Sequence, residues 1–125
     1  MKFTKDEISL CKQVAEKHRK AIKYGDWFYS KKAKLYWVWE KTFTRTDNLD
    51  NHFPLWTISE CLEFLERRKI LDWSIDKDLD KNGKLTGNVC FWWELKSKKF
   101  EDNYTLGKTT LEACLRALLA VLEEE

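Results

Sequence analysis

The string with the strongest metal-ligand character runs Asp78, Leu79, Asp80, Lys81, Asn82, Gly83, Lys84, Leu85, Thr86. It matches the first half of an EF-hand calcium loop, with acids at loop positions 1 and 3, Asn at 5, Gly at 6 and an aliphatic residue at 8. The loop needs a bidentate Glu at position 12, and Val89 stands there. The flanking residues alternate like strands, whereas an EF-hand is flanked by helices. A polar hairpin tip uses the same Asp, Asn and Gly residues, and that is the expected role. No metal site is expected.

Gly107, Lys108 and Thr109 resemble the end of a phosphate-binding loop, but the Gly required five residues earlier is Asp102. Thr109 is better placed as a helix cap. His18 and Cys11 share one helical face, yet seven residues separate them by ~10 Å along the axis, too far for a nucleophile–base pair. Cys11, Cys61, Cys90 and Cys114 lack close-spaced pairs and sit at core-like positions, so free, reduced thiols are expected. His52 lies in a polar stretch with Arg45, Asp47 and Asp50, a composition that suits a ligand contact or plain solvation. No catalytic residues and no cofactor are indicated, and the chain reads as a non-enzyme.

The aromatic residues are the anomaly. The sequence holds 7 Trp, 4 Tyr and 7 Phe. They concentrate at Trp27-Phe28-Tyr29, Tyr36-Trp37-Val38-Trp39 and Phe91-Trp92-Trp93. Neighbouring strand residues point to opposite faces, so both faces of a sheet would carry large rings. Trp37, Trp39 and Trp92, with Arg45 and His52, are therefore the candidate ligand or partner contacts.

Elements to position these residues can be read along the chain. Thr4 and Glu7 form a capping box, and the apolar residues from Ile8 to Ile22 recur at helical spacing, predicting a first helix over 5–24 with Gly25 as its stop. An aromatic hairpin is expected over 27–41. Thr42 to Phe53 reads as an irregular polar connection closed by Pro54. Thr57 and Glu60 repeat the capping box ahead of a second helix. Leu71, Trp73 and Ile75 alternate with polar residues, Asn82-Gly83 signals a hairpin, and Val89 to Lys96 returns as a strand. Its Phe91 and Trp93 should face helices, and Trp92 the opposite side. Phe100 to Leu106 offers a short further strand, and Thr109 caps a closing helix.

The order α-β-β-α-β-β-(β)-α implies an α+β fold in one domain, 1–125, with residues 55–125 as an α-β-β-α unit. The expectation is an antiparallel sheet of four to five strands with helices on both faces, a three-layer α/β/α sandwich in which helix one covers the face of Trp37, Trp39 and Trp92.

Residues 53–65 (Phe-Pro-Leu-Trp-Thr-Ile-Ser-Glu-Cys-Leu-Glu-Phe-Leu) and 104–122 (Tyr-Thr-Leu-Gly-Lys-Thr-Thr-Leu-Glu-Ala-Cys-Leu-Arg-Ala-Leu-Leu-Ala-Val-Leu) resemble the α-β-α sandwich domain of small phage and prophage proteins. The resemblance implies a fold and a genomic setting, not an activity. The same segment resembles the α-β-β-β-α order of double-stranded-RNA-binding domains, whose closing helix begins with phosphate-gripping lysines. Only Lys108 matches that feature.

Composition bounds the rest. A 43% hydrophobic, 35% charged chain with 4 Gly and 1 Pro is a folded one. No apolar run approaches the ~18 residues of a membrane span, and the charged stretch Met1 to Asp6 lacks a signal core, so a cytoplasmic protein is expected. A net charge of +2 and a pI of about 8.3 disfavour a dedicated nucleic-acid domain. The Lys-rich stretches 31–34 and 96–99 read as solvated surface. The leading expectation is a phage-type accessory module that binds a protein partner or itself as a homodimer. The alternative is a binder of small nucleotide-type ligands that uses exposed Trp residues, and a weak nucleic-acid binder comes third.

Overall fold

The computed structural model describes residues 2–18, 20–40, 51–68, 70–95 and 103–123. It is α+β, and the described residues form three helices and two three-stranded antiparallel sheets. The single sheet of four to five strands expected from the sequence is not formed. The aromatic hairpin and the later strands belong to different sheets, so no three-layer sandwich is built on one sheet. The chain divides into two compact units, Met1–Trp56 and Thr57–Glu125.

The first unit opens with α1, Lys5–Lys17, and its capping box is formed: the Glu7 N–H donates to Thr4 Oγ1 (3.1 Å) and the Thr4 N–H to Glu7 Oε1 (2.7 Å). The helix stops seven residues short of the expected Tyr24. His18 is extended, and Ile22 leaves the helical path to join Phe28 and Trp39 in a buried cluster. Burial of a β-branched residue against rings outweighs the helical spacing that Ala21 and Ile22 continue. Gly25, at φ 90°, serves the turn into the sheet.

That sheet has the order β2-β1-β3, built from β1 (Trp27–Ser30), β2 (Leu35–Val38) and β3 (His52–Pro54). The hairpin strand ends at Val38, although the Trp39 N–H still donates to the Asp26 carbonyl. β3 falls at the end of the stretch expected to be irregular. Pro54, which lacks an N–H, sits on this edge strand, where such a gap is tolerated. In-register partners share a face. One face therefore carries Phe28, Trp37 and Pro54, and the other carries Trp27, Tyr29, Tyr36 and Phe53.

The second unit runs α2 (Ile58–Arg67), β4 (Ile70–Leu79), β5 (Leu85–Leu95), β6 (Asn103–Gly107), α3 (Thr110–Glu123). The sheet order is β4-β5-β6. α3 packs on β5, β6 and α2. Phe91 is the register partner of Thr105, whose hydroxyl donates to the Ala113 carbonyl of α3, so Phe91 and Trp93 are buried on the α3 side of the sheet, the side expected for them. Gly107 permits the closest approach: a Cβ there would lie 2.5 Å from the Ala113 backbone nitrogen. Among the described residues no helix is long and apolar enough to cross a membrane.

Candidate anion-binding cleft

Lys5, Ile8, Ser9 and Lys12 recur at i, i+3, i+4 and i+7, which places them on one face of α1. Across from them, Tyr29 of β1 and Phe53 of β3 are register partners, with ring centroids 5.1 Å apart and planes inclined at 34°. The turn from β1 to β2 adds Lys31 and Lys34. These eight residues line a cleft of about 520 Å³, within the range of small-molecule sites.

The helix is held over the sheet at both ends of this face. Phe3 meets Trp27 and Tyr36 edge-on, with centroids at 5.7 and 5.4 Å, and its N–H donates to the Tyr36 hydroxyl (3.2 Å). Further along, Cys11 Sγ accepts the Trp56 N–H at 3.4 Å. Burial pushes the Cys11 thiol up to about 12, so it accepts that bond as a neutral thiol. The lysine turn is also fixed. The Lys34 N–H donates to the Ser30 carbonyl (2.8 Å), the Ala33 N–H to Ser30 Oγ (3.2 Å) and the Lys31 N–H to the Asn51 carbonyl (2.8 Å). Lys34 adopts left-handed φ of 55°. Four lysines therefore line the cleft together with Tyr29 and Phe53, and among the described residues no carboxylate lines it. Anions are drawn to such a concavity, because low-dielectric walls focus the field.

This cleft lies on the opposite face of the sheet from the one expected. α1 covers the Tyr29–Phe53 face, not the face of Trp37. On the Trp37 face, Phe28 is ringed by Trp37 (4.7 Å), Trp39 (5.1 Å) and His52 (5.5 Å). Trp39 is only 6% exposed and belongs to the core, whereas Trp37 is 42% exposed. Trp92 is half-buried on β5, in the other sheet, where it faces away from Phe91 and Trp93 as expected. Arg45 lies outside the described residues. The structure thus brings Trp37, Trp39 and His52 together and places Trp92 on a separate sheet.

The remaining sequence motifs take structural roles. Asp80 Oδ1 accepts the N–H groups of Asn82 (2.8 Å) and Lys84 (3.0 Å), and Asp78 Oδ2 accepts the Thr86 hydroxyl (2.8 Å). Both carboxylates are occupied in shaping the β4–β5 hairpin. Among the described residues no cluster of three His, Cys, Asp or Glu side chains is placed to hold a metal. Thr109 caps α3 by accepting the Glu112 N–H (3.1 Å). None of the four cysteines is in a disulfide. Cys114 is pushed up to about 12 by burial, and Cys90 is raised by desolvation and then by Asp78 and Asp76.

Sequence reasoning missed the cleft because Lys31 and Lys34 resemble any solvated turn. The available signal was the pair Lys5 and Lys12, two turns apart on one helical face, together with a lysine turn between aromatic strands. No family model, no curated protein and no solved structure matches the chain.

Proposed function

We propose that this chain is a non-catalytic binding protein whose cleft between α1 and the first sheet takes a small anionic ligand with a planar ring, of nucleotide type. The observation that carries this reading is the joint lining of the cleft by Lys5, Lys12, Lys31 and Lys34 with Tyr29 and Phe53, without a carboxylate among the described residues. Phosphate oxygens satisfy unpaired ammonium groups, and a ring gains stacking area on Tyr29. The lining offers charge, ring surface, a serine hydroxyl and a phenol. Among the described residues it contains neither a carboxylate nor an imidazole. A phage-type accessory setting, which the resemblance of residues 53–65 and 104–122 implies, is part of the same proposal.

Calorimetric titration with ATP, inorganic triphosphate and adenosine tests the reading. ATP is expected to bind more tightly than triphosphate, and adenosine least. The Lys12→Glu/Lys31→Glu variant should weaken ATP binding at least about tenfold, the factor that accompanies ~1.4 kcal/mol. Equal affinity in wild type and variant, or no heat from either phosphate compound at low salt, would overturn it.

A further inference from the structure

Two of the four lysines that line the cleft, Lys31 and Lys34, come from one four-residue turn. Ser30 and Leu35 are the last register partners of β1 and β2, so residues 31–34 must reverse the chain. The Ser30 carbonyl accepts the Lys34 N–H (2.8 Å), and Ser30 Oγ accepts the Ala33 N–H (3.2 Å). The reversal closed by these bonds holds Lys34 in the left-handed region, at φ 55°. A Cβ in that region crowds the backbone, so glycine is its usual occupant and asparagine the common alternative. Among the described residues every other positive φ belongs to a glycine. A glycine at position 34 would donate the same N–H to Ser30 without strain. What it would lack is a cationic side chain in the lining of the cleft. Strained backbone of this kind gathers at binding sites, where the surrounding structure enforces it.

We infer that Lys34 is a phosphate contact of this cleft, and that its charge is the reason a lysine occupies a position whose backbone suits glycine. The inference rests on the reading of the cleft as an anion site. Strain and charge then make opposite demands at one residue: stability of the turn favours glycine, and ligand binding favours lysine. A residue that merely shaped the turn would show no such conflict, because losing it would lower stability and affinity together.

Three variants test this. Lys34→Gln removes the charge and keeps a long side chain in the left-handed position. Lys34→Gly removes both the charge and the strain, and Lys34→Arg keeps the charge. Calorimetry should show ATP and inorganic triphosphate bound about tenfold or more weakly by Lys34→Gln and Lys34→Gly. The loss should be alike for the two compounds, since the missing contact is to phosphate. Lys34→Arg should bind both nearly as wild type does. Urea unfolding without ligand should give Lys34→Gly a higher midpoint than Lys34→Gln, a comparison in which charge is the same. Unchanged affinity in Lys34→Gln, an equal loss in Lys34→Arg, or a Lys34→Gly midpoint no higher than that of Lys34→Gln would each overturn the inference. In those cases the reading of the cleft stands as long as Lys12→Glu/Lys31→Glu still weakens ATP binding. A wild-type chain that binds neither phosphate compound would overturn both.

Discussion

Tyr29 and Phe53 lie on neighbouring strands with ring centroids 5.1 Å apart, and their shared face is the floor of the lysine-lined cleft. Phe53 is almost wholly buried, so Tyr29 presents the accessible ring. Tyr29→Leu should therefore lower affinity for ATP while leaving affinity for inorganic triphosphate nearly unchanged. Aromatic-base stacking is worth ~1–3 kcal/mol, so the ATP effect should reach about tenfold. Calorimetry on both ligands reads the difference, and an equal loss for both would show that the ring serves only to shape the site.

The helix that carries Lys5 and Lys12 depends on its first turn. Thr4→Ala removes the acceptor for the Glu7 N–H but keeps the residue-4 N–H that donates to the Glu7 carboxylate, so one half of the capping box is lost. Loss of an N-cap costs about 1 kcal/mol. Denaturant unfolding should show a destabilisation of that order, and Thr4→Ser should recover most of it.

Gly107→Ala makes a sharper test of the second unit. The new methyl would lie 2.5 Å from backbone of α3, which cannot yield as a flexible side chain does. β6 or α3 must shift, at a cost of roughly 1–3 kcal/mol. A melting temperature equal to wild type would mean that α3 does not pack this closely on β6.

Much of the local structure is legible in the sequence. Thr4 with Glu7 and Thr57 with Glu60 mark two helix starts, because each box is satisfied within four residues. Asn82-Gly83 marks the β4–β5 hairpin for the same reason, and alternation fixes which way Phe91, Trp92 and Trp93 point. What the sequence hides is long-range. The end of α1 is set by Ile22 packing on Phe28 and Trp39, and helical spacing carries no trace of that choice. The division into two sheets rests on His52–Pro54 pairing with β1, a strand of three residues too short for any alternation to register. The cleft inherits both difficulties, since its floor exists only when Phe53 lies beside Tyr29.

The cysteines give a pH signature. Cys11 and Cys114 are pushed up to about 12 from 9.0 by burial. Above pH 9 the unfolded chain loses these thiol protons while the folded chain keeps them. Stability is therefore fully present below about pH 9 and falls as pH rises through 12. Thermal unfolding should show this alkaline decline, and Cys11→Ala should flatten it. In native protein a thiol reagent should modify Cys90 first. Its reactivity should rise at higher pH than that of a free cysteine, because desolvation, Asp78 and Asp76 all disfavour the thiolate.

Trp93 poses the last test. It is 2% exposed, and among the described residues its indole Nε1 has no hydrogen-bond acceptor. A buried donor left without a partner costs about 1–3 kcal/mol. Trp93→Phe removes that donor and keeps a ring beside Phe91, whose centroid lies 6.0 Å away. It also deletes ring volume from a packed core, which costs free energy in the opposite direction. The two effects are of similar size, so Trp93→Phe should change stability by less than about 1 kcal/mol, small beside an ordinary core truncation. Trp93→Ala loses nearly all the packing and should destabilise by roughly 3–5 kcal/mol. Urea unfolding of the pair separates the two contributions. If Trp93→Phe proved as damaging as a large truncation, the indole N–H would have to be satisfied in the folded protein, and the second core would be more polar at its centre than its burial pattern implies.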